Sequence, residues 1–214
     1  MDTRTHWESI YSRMSDDQVS WFEADPALSV SLILETGAGP TTRVLDVGGG
    51  SSRLVDRLLD LGIEQVAVLD VSAVALARAR ERLGAPAGSV RWIEGDVTSI
   101  ERIGTYDIWH DRAVFHFLTE PSDRSHYAEL AARTVPPGGH LIMATFAMDG
   151  PERCSGLPVQ RYDEDALNAE LGSGFALEKS VPSRHLTPAG VEQAFNSFVY
   201  RSVSRPAHSA RAGS

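Results

Sequence analysis

The chain's 214 residues, 42% of them hydrophobic, suffice for one domain with a covered central sheet and leave little room for a second. Its 29 acids against 20 lysines and arginines give a net charge of −9, a surface that repels phosphate backbones and argues against nucleic acid as a partner. A single cysteine, Cys154, excludes an internal disulfide and a thiolate zinc cluster. With no apolar run of about 18 residues, the expectation is a soluble, cytoplasmic protein with no membrane partner.

Near the start, His6–Ser12 and Ala27–Glu35 read as helices, with Trp7, Tyr11, Trp21 and Phe22 as apolar anchors. From there short apolar runs alternate with helical patterns. Arg43–Val47, Gln65–Leu69, Val90–Glu94, Tyr106–His110 and His140–Phe146 read as strands. Between them, Leu54/Val55/Leu58/Leu59, then Val74/Leu76/Ala77/Leu83, then Tyr127/Leu130/Ala131 recur at helical spacing. This is the rhythm of a parallel sheet with crossover helices. Pro136-Pro137-Gly138-Gly139 forbids helix and marks the turn into the fifth strand. Beyond that strand, residues 147–161 are irregular, Asp163–Leu171 is helical, and Phe175–Val181 and Gln193–Val203 are two late strands able to pair antiparallel and close one sheet edge. The small, polar ending from Ser204 to Ser214 is expected to be mobile.

The most informative stretch is Val44-Leu45-Asp46-Val47-Gly48-Gly49-Gly50-Ser51-Ser52, a β-branched run ending in an acid and a glycine cluster ahead of the helical pattern from Arg53. Such a strand-to-helix turn offers backbone N–H groups and a carboxylate at one point. Asp70 ends the second strand 24 residues after Asp46, where a carboxylate can accept from both ribose hydroxyls. Asp96 follows the third strand and Asp111 the fourth, so successive acids line one rim of the sheet.

This order of glycine turn, ribose acid and adenine acid resembles the class I (seven-β-strand) S-adenosylmethionine-dependent methyltransferases, over about His6 to Val203. The resemblance implies an α/β fold, a Rossmann-like doubly wound sheet of seven strands, mostly parallel with an antiparallel last strand. It implies S-adenosyl-L-methionine as cofactor and S-adenosyl-L-homocysteine as product. Gly48 and Gly50 would approach the methionine part, Asp70 with Val71 the ribose, and Asp96 with Val97 the adenine. Asp46 would orient the turn or meet the methionine ammonium, and Asp111 completes the cofactor set. Ser52 stands where the family's loop has a third glycine. The amino-terminal aromatics Trp7, Tyr11 and Trp21 resemble a lid that folds over the cofactor, although core anchoring is an equal reading of aromatics at helical spacing. The expected organisation is a single domain over 1–203, with a lid (1–40), a cofactor-binding core (41–147) and an acceptor-side loop with closing strands (148–203).

Methyl transfer from a sulfonium is an in-line displacement, which needs alignment and exclusion of water more than any one side chain. The candidate catalytic residues are Asp111, His116 and His185, and the candidate acceptor-binding residues are Arg112, Phe146, Cys154, Arg161 and Tyr162. No metal site is expected. Residues 145–162 resemble a bacterial subgroup with a Phe-Ala-x-Asp-Gly-Pro, Cys-Ser-Gly-Leu-Pro-Val, Arg-Tyr pattern. The reading is methylation of a small molecule, with protein-lysine methylation as the alternative. A NAD-dependent oxidoreductase would want the third glycine and leaves Asp96 without a role. A non-catalytic cofactor-binding protein is the remaining class.

Overall fold

Apolar residues at successive positions of a strand bury both its faces, and β1 (Arg43–Val47) is buried at every position but its first. The computed structural model describes residues 2–203, so the expected mobile tail lies outside the described residues. β1 pairs in parallel with β2 (Gln65–Asp70) on one side and β4 (Ile108–Arg112) on the other. β3 (Arg91–Glu94) adds beside β2, and β5 (His140–Phe146) beside β4. β9 (Glu192–Ser202) enters antiparallel between β5 and the edge strand β8 (Phe175–Leu186), giving the order β3-β2-β1-β4-β5-β9-β8. This is the expected doubly wound, seven-stranded sheet with an antiparallel last strand.

Helices α1 (Thr3–Arg13), α2 (Ala27–Glu35), α3 (Leu54–Asp60), α4 (Ala73–Leu83), α5 (Pro121–Thr134) and α6 (Glu164–Leu171) accompany the sheet. Two apolar clusters fill its faces. One joins Leu45, Val47, Trp109 and Leu141 with Tyr127 and Leu130 of α5. The other joins Val44, Val66, Ile108 and Ile142 with Ile33 of α2 and Leu58 of α3. Alternation along each strand therefore decides which layer a polar residue enters. Asp46 shares the parity of Val44, and His110 that of Ile108, so both face α2; Asp111 shares the parity of Trp109 and faces α5.

Several boundaries differ from expectation. β4 starts two residues later and runs to Arg112, so Asp111 lies within the strand rather than after it. β8 continues to Leu186 through Pro182, which an edge strand tolerates because one side of its ladder is unpaired. Its exposed polar residues hide that length in sequence. His185 accordingly lies within this edge strand, one residue before its end. The segment expected to be irregular contains a short hairpin of β6 (Arg153–Cys154) and β7 (Leu157–Pro158) around Ser155-Gly156. Among the described residues, no helix is long and apolar enough to cross a membrane.

Candidate active site

The glycine turn after β1 is pressed from two sides. Gly48 and Gly50 have φ of +66° and +48°, a region that L side chains avoid. A Cβ on Gly48 would lie 2.0 Å from Val114 Cγ2, and one on Gly50 would lie 2.7 Å from the Tyr11 hydroxyl and 3.0 Å from Asp70 Oδ2. Only glycine keeps this cradle open.

Two acids at neighbouring strand ends are set by contacts local in sequence. Asp70 Oδ1 accepts the Ser72 amide at 2.8 Å, and Asp96 Oδ1 accepts the Thr98 amide and hydroxyl at 2.9 and 2.7 Å. Burial pushes the Asp70 carboxyl up to about 7, against the pull of the Ser72 amide and with help from the nearby Asp46 charge. Asp70, Val71, Asp96 and Val97 line one cavity with Leu118 and Gly48. It holds about 200 Å³ of space for water centres, against roughly 10–15 Å³ for a single water, so it is large enough for a sizeable ligand. Glycine cradle, buried strand-end carboxylate and flanking apolar side chains together fit an adenosyl group.

The amino terminus forms the roof. Trp7 meets Phe117 edge to face with ring centroids 5.0 Å apart and Trp21 at 5.6 Å, while buried Tyr11 meets Trp21 at 5.9 Å. Such pairs prefer this geometry because ring edges are positive and faces negative. Arg78 holds α1 down by donating to the Met14 carbonyl at 2.7 Å and to Asp16 at 3.1 Å, and Arg4 pairs with Glu94 across the rim.

At the other end of the cavity stand Arg112, Phe117, Cys154 and Leu157. Arg112 donates to Glu23 at 2.8 Å and to the Trp21 carbonyl at 3.0 Å, and lies 5.2 Å from the centre of the Phe195 ring. Burial pushes the Cys154 thiol up, which keeps it protonated. A second, smaller cavity lies on the α2 side of the glycine turn and shares Trp21, Val47, Gly48 and Arg112 with the first. It contains Asp46, whose Oδ1 lies 2.8 Å from His110 Nδ1; the other ring nitrogen lies 2.9 Å from Ser29 Oγ.

The structure thus brings Trp7, Tyr11, Trp21, Gly48, Asp70, Val71, Asp96, Val97, Arg112 and Cys154 into one cavity wall, with Gly50 behind Tyr11. Other expected site residues stand elsewhere. Asp111 points into the α5 layer, where Oδ1 accepts the Val114 amide at 2.8 Å and Oδ2 the Phe115 amide at 3.1 Å and the Tyr127 hydroxyl at 2.5 Å. It fixes the turn after β4 and does not reach the cavity. Burial lifts its carboxyl to about 6.

His116 is fully buried behind Phe117, with its ring 4.6 Å from that of Phe146 and neither nitrogen hydrogen-bonded. Burial first, and the Arg112 charge second, lower it to about 3, so it is neutral at working pH. His185 Nε2 lies 2.7 Å from the Ser20 carbonyl oxygen and Nδ1 lies 3.6 Å from Glu23, which places it in a separate open groove. Arg161 staples its own loop through the Met148 and Gly150 carbonyls at 3.0 and 3.3 Å. Phe146 packs on Phe195, and Tyr162 on Phe115, as core residues.

Sequence reasoning missed Val114, Phe117 and Leu118, which line the cavity from the turn that Asp111 holds. Their signal was their place directly after a strand end. It also missed the partnership of His110 with Asp46, whose signal was strand parity.

A family model described as a methyltransferase domain matches residues 44–139. The mouse eEF1A lysine and N-terminal methyltransferase is 25% identical over 96 residues, 45% of this chain and 14% of that one. A tRNA U34 carboxymethyltransferase of Shewanella putrefaciens is 29% identical over 121 residues, 56% of this chain and 36% of that one. The matched stretches therefore span only a small part of these relatives' lengths. The N-methyltransferase NodS from Bradyrhizobium japonicum WM9, solved in complex with S-adenosyl-L-homocysteine, superposes with a TM-score of 0.71 at 14% identity, covering 95% of this chain and 100% of that one. That likeness is one of fold.

Proposed function

We propose that the chain is a class I S-adenosylmethionine-dependent methyltransferase that transfers a methyl group from S-adenosylmethionine to a small-molecule acceptor. The observation that carries the reading is the roof of Trp7, Trp21 and Phe117, which closes aromatic edges and faces over the cavity. When bound, the cofactor supplies a methyl group on a positively charged sulfur. Asp70 and Val71 would hold its ribose, Asp96 and Val97 its adenine, and the backbone at Gly48 and Gly50 its amino-acid end.

The protein's own contribution is to exclude water and to align the acceptor. Aromatic faces favour nearby positive charge, and a closed roof keeps water from competing with the acceptor. Phe117, Leu157 and Cys154 offer the acceptor a mostly apolar wall, with the Arg112 guanidinium at its edge. Asp111, His116 and His185 take supporting places in this reading: a turn clamp, a neutral buried ring behind the wall, and a holder of the segment around Ser20.

Protein-lysine methylation is the second reading, favoured by a relative whose name specifies lysine methylation. The positive charge of Arg112 beside the wall speaks against an ammonium-bearing acceptor. Incubation with methyl-labelled S-adenosylmethionine and parallel panels of small thiols, amines, hydroxyl compounds and lysine peptides separates the two. Label on a small molecule is the expected result. Label on peptides alone replaces the first reading with the second.

A further inference from the structure

We propose that His110 is a positioning residue which, braced by Ser29, fixes the Asp46 carboxylate beneath the glycine turn as the anchor for the ammonium group of the cofactor's amino-acid end. The proposal rests on the cofactor reading above and adds the residues that set its second cavity.

Strand register puts the three groups together. Asp46 of β1 lies directly opposite His110 of β4, on the sheet face covered by α2. Ser29, in the third position of α2, completes the line with its hydroxyl 2.9 Å from His110 Nε2. All three side chains are buried. An ionised carboxylate only accepts, so the Nδ1–H of His110 donates to Asp46, and in the neutral ring Nε2 then accepts from the Ser29 hydroxyl. Both ring nitrogens are thereby satisfied and the imidazole is held in one orientation.

The carboxylate is restrained on its far side as well. Asp46 Oδ2 lies 2.4 Å from where a Cβ of Gly49 would be, so the group is packed against the turn itself. An acid clamped by His110 on one side and by the turn on the other cannot rotate away from the second cavity that it lines. That cavity joins the first through Trp21, Val47, Gly48 and Arg112, and its lining carries three acids, Asp16, Glu23 and Asp46, with Arg112 as the cation at the junction. A lining with an excess of acids favours a positively charged group, and the fixed Asp46 carboxylate is placed to accept from an ammonium. Glu23, already paired with Arg112 at 2.8 Å, keeps the guanidinium in place.

The test compares two nucleosides by calorimetry: S-adenosylhomocysteine, and 5′-methylthioadenosine, which lacks the amino-acid end. The wild type is expected to prefer the first by roughly tenfold or more, the range of a hydrogen bond to a charged group. His110→Gln should lose most of that preference while its affinity for 5′-methylthioadenosine stays within about twofold. Ser29→Ala, which leaves the contact with Asp46 but frees the ring, should lose part of it. Should His110→Gln fail to fold, Ser29→Ala carries the test. Equal weakening of both ligands assigns the relay to folding alone and overturns the proposal, as does an unchanged preference in the folded variants. A wild type that binds neither nucleoside overturns the cofactor reading, and the relay with it.

Discussion

The proposed cofactor end of the cleft takes its strand-end acids from contacts two residues long, whereas the proposed acceptor end depends on segments far apart in the chain. Asp70 and Asp96 are oriented by the amides of Ser72 and Thr98, and the glycine turn takes its shape from the positive φ of Gly48 and Gly50 and from the Gly48 amide donating to the Leu69 carbonyl of the neighbouring strand. Arg112 is instead held by Glu23 and Trp21, 89 and 91 positions away, and Cys154 arrives on a hairpin from beyond β5. Locally determined geometry is preorganised as soon as the sheet forms. Geometry that depends on docking can be altered by moving one loop, so acceptor choice can change without disturbing cofactor binding.

The contrast breaks first at the turn. Gly48→Ala forces a Cβ onto Val114 at a positive φ, and we expect a loss of about 2–4 kcal/mol in stability, measured by denaturant unfolding, with cofactor binding lost alongside. A variant as stable as the wild type would show that the turn is not under this constraint.

Asp70→Asn separates binding from stability. The folded protein holds the Asp70 proton up to about pH 7, well above the ordinary carboxylate value of 3.8, because of burial. Its contribution to stability is therefore greatest at low pH and declines as pH rises from about 4 to 7. Removing the ionisable group should raise the melting temperature at pH 8 relative to wild type and weaken S-adenosylhomocysteine by about 1–3 kcal/mol. In the wild type, ribose hydroxyls favour the ionised carboxylate, so affinity should rise with pH through about 7 and then level off.

Trp7→Ala opens the roof while leaving the strand-end acids in place. It should cost about 0.5–2 kcal/mol in affinity for the positively charged S-adenosylmethionine and less for the neutral sulfur of S-adenosylhomocysteine. An equal loss for both would reduce the aromatic to simple packing. The smallest effect on the cofactor belongs to Cys154→Ala, which should leave its affinity within about 0.5 kcal/mol and change only the kcat/KM of the acceptor, as expected if the two parts of the cavity act independently.

The same division explains what the sequence disclosed. Strand-end acids and a glycine turn are written at fixed offsets, so Asp70, Asp96 and Gly48 were legible, as was the βαβ rhythm that places them on one rim. Asp111 was misplaced because one position along a strand reverses the face, and β4 begins two residues later than its apolar pattern implied. His116 sits among phenylalanines in sequence as it does in space, but nothing local discloses that both of its nitrogens lack partners. Arg161 and Tyr162 lie in a loop whose pattern resembles an acceptor wall, yet one staples loop carbonyls and the other fills the core. The length of β8 came from pairing with β9, which no property of its own exposed residues announces.

The central claim is that Asp70 and the glycine turn form an adenosyl-binding end. Calorimetric titration of wild type and Asp70→Asn with S-adenosylhomocysteine and NAD⁺, in two buffers of different ionisation enthalpy at pH 6.5, tests it most directly. The account predicts one-to-one binding of S-adenosylhomocysteine with proton release that disappears in Asp70→Asn, and no comparable binding of NAD⁺. Binding of NAD⁺ alone, or an Asp70→Asn variant that binds S-adenosylhomocysteine as the wild type does, would contradict it.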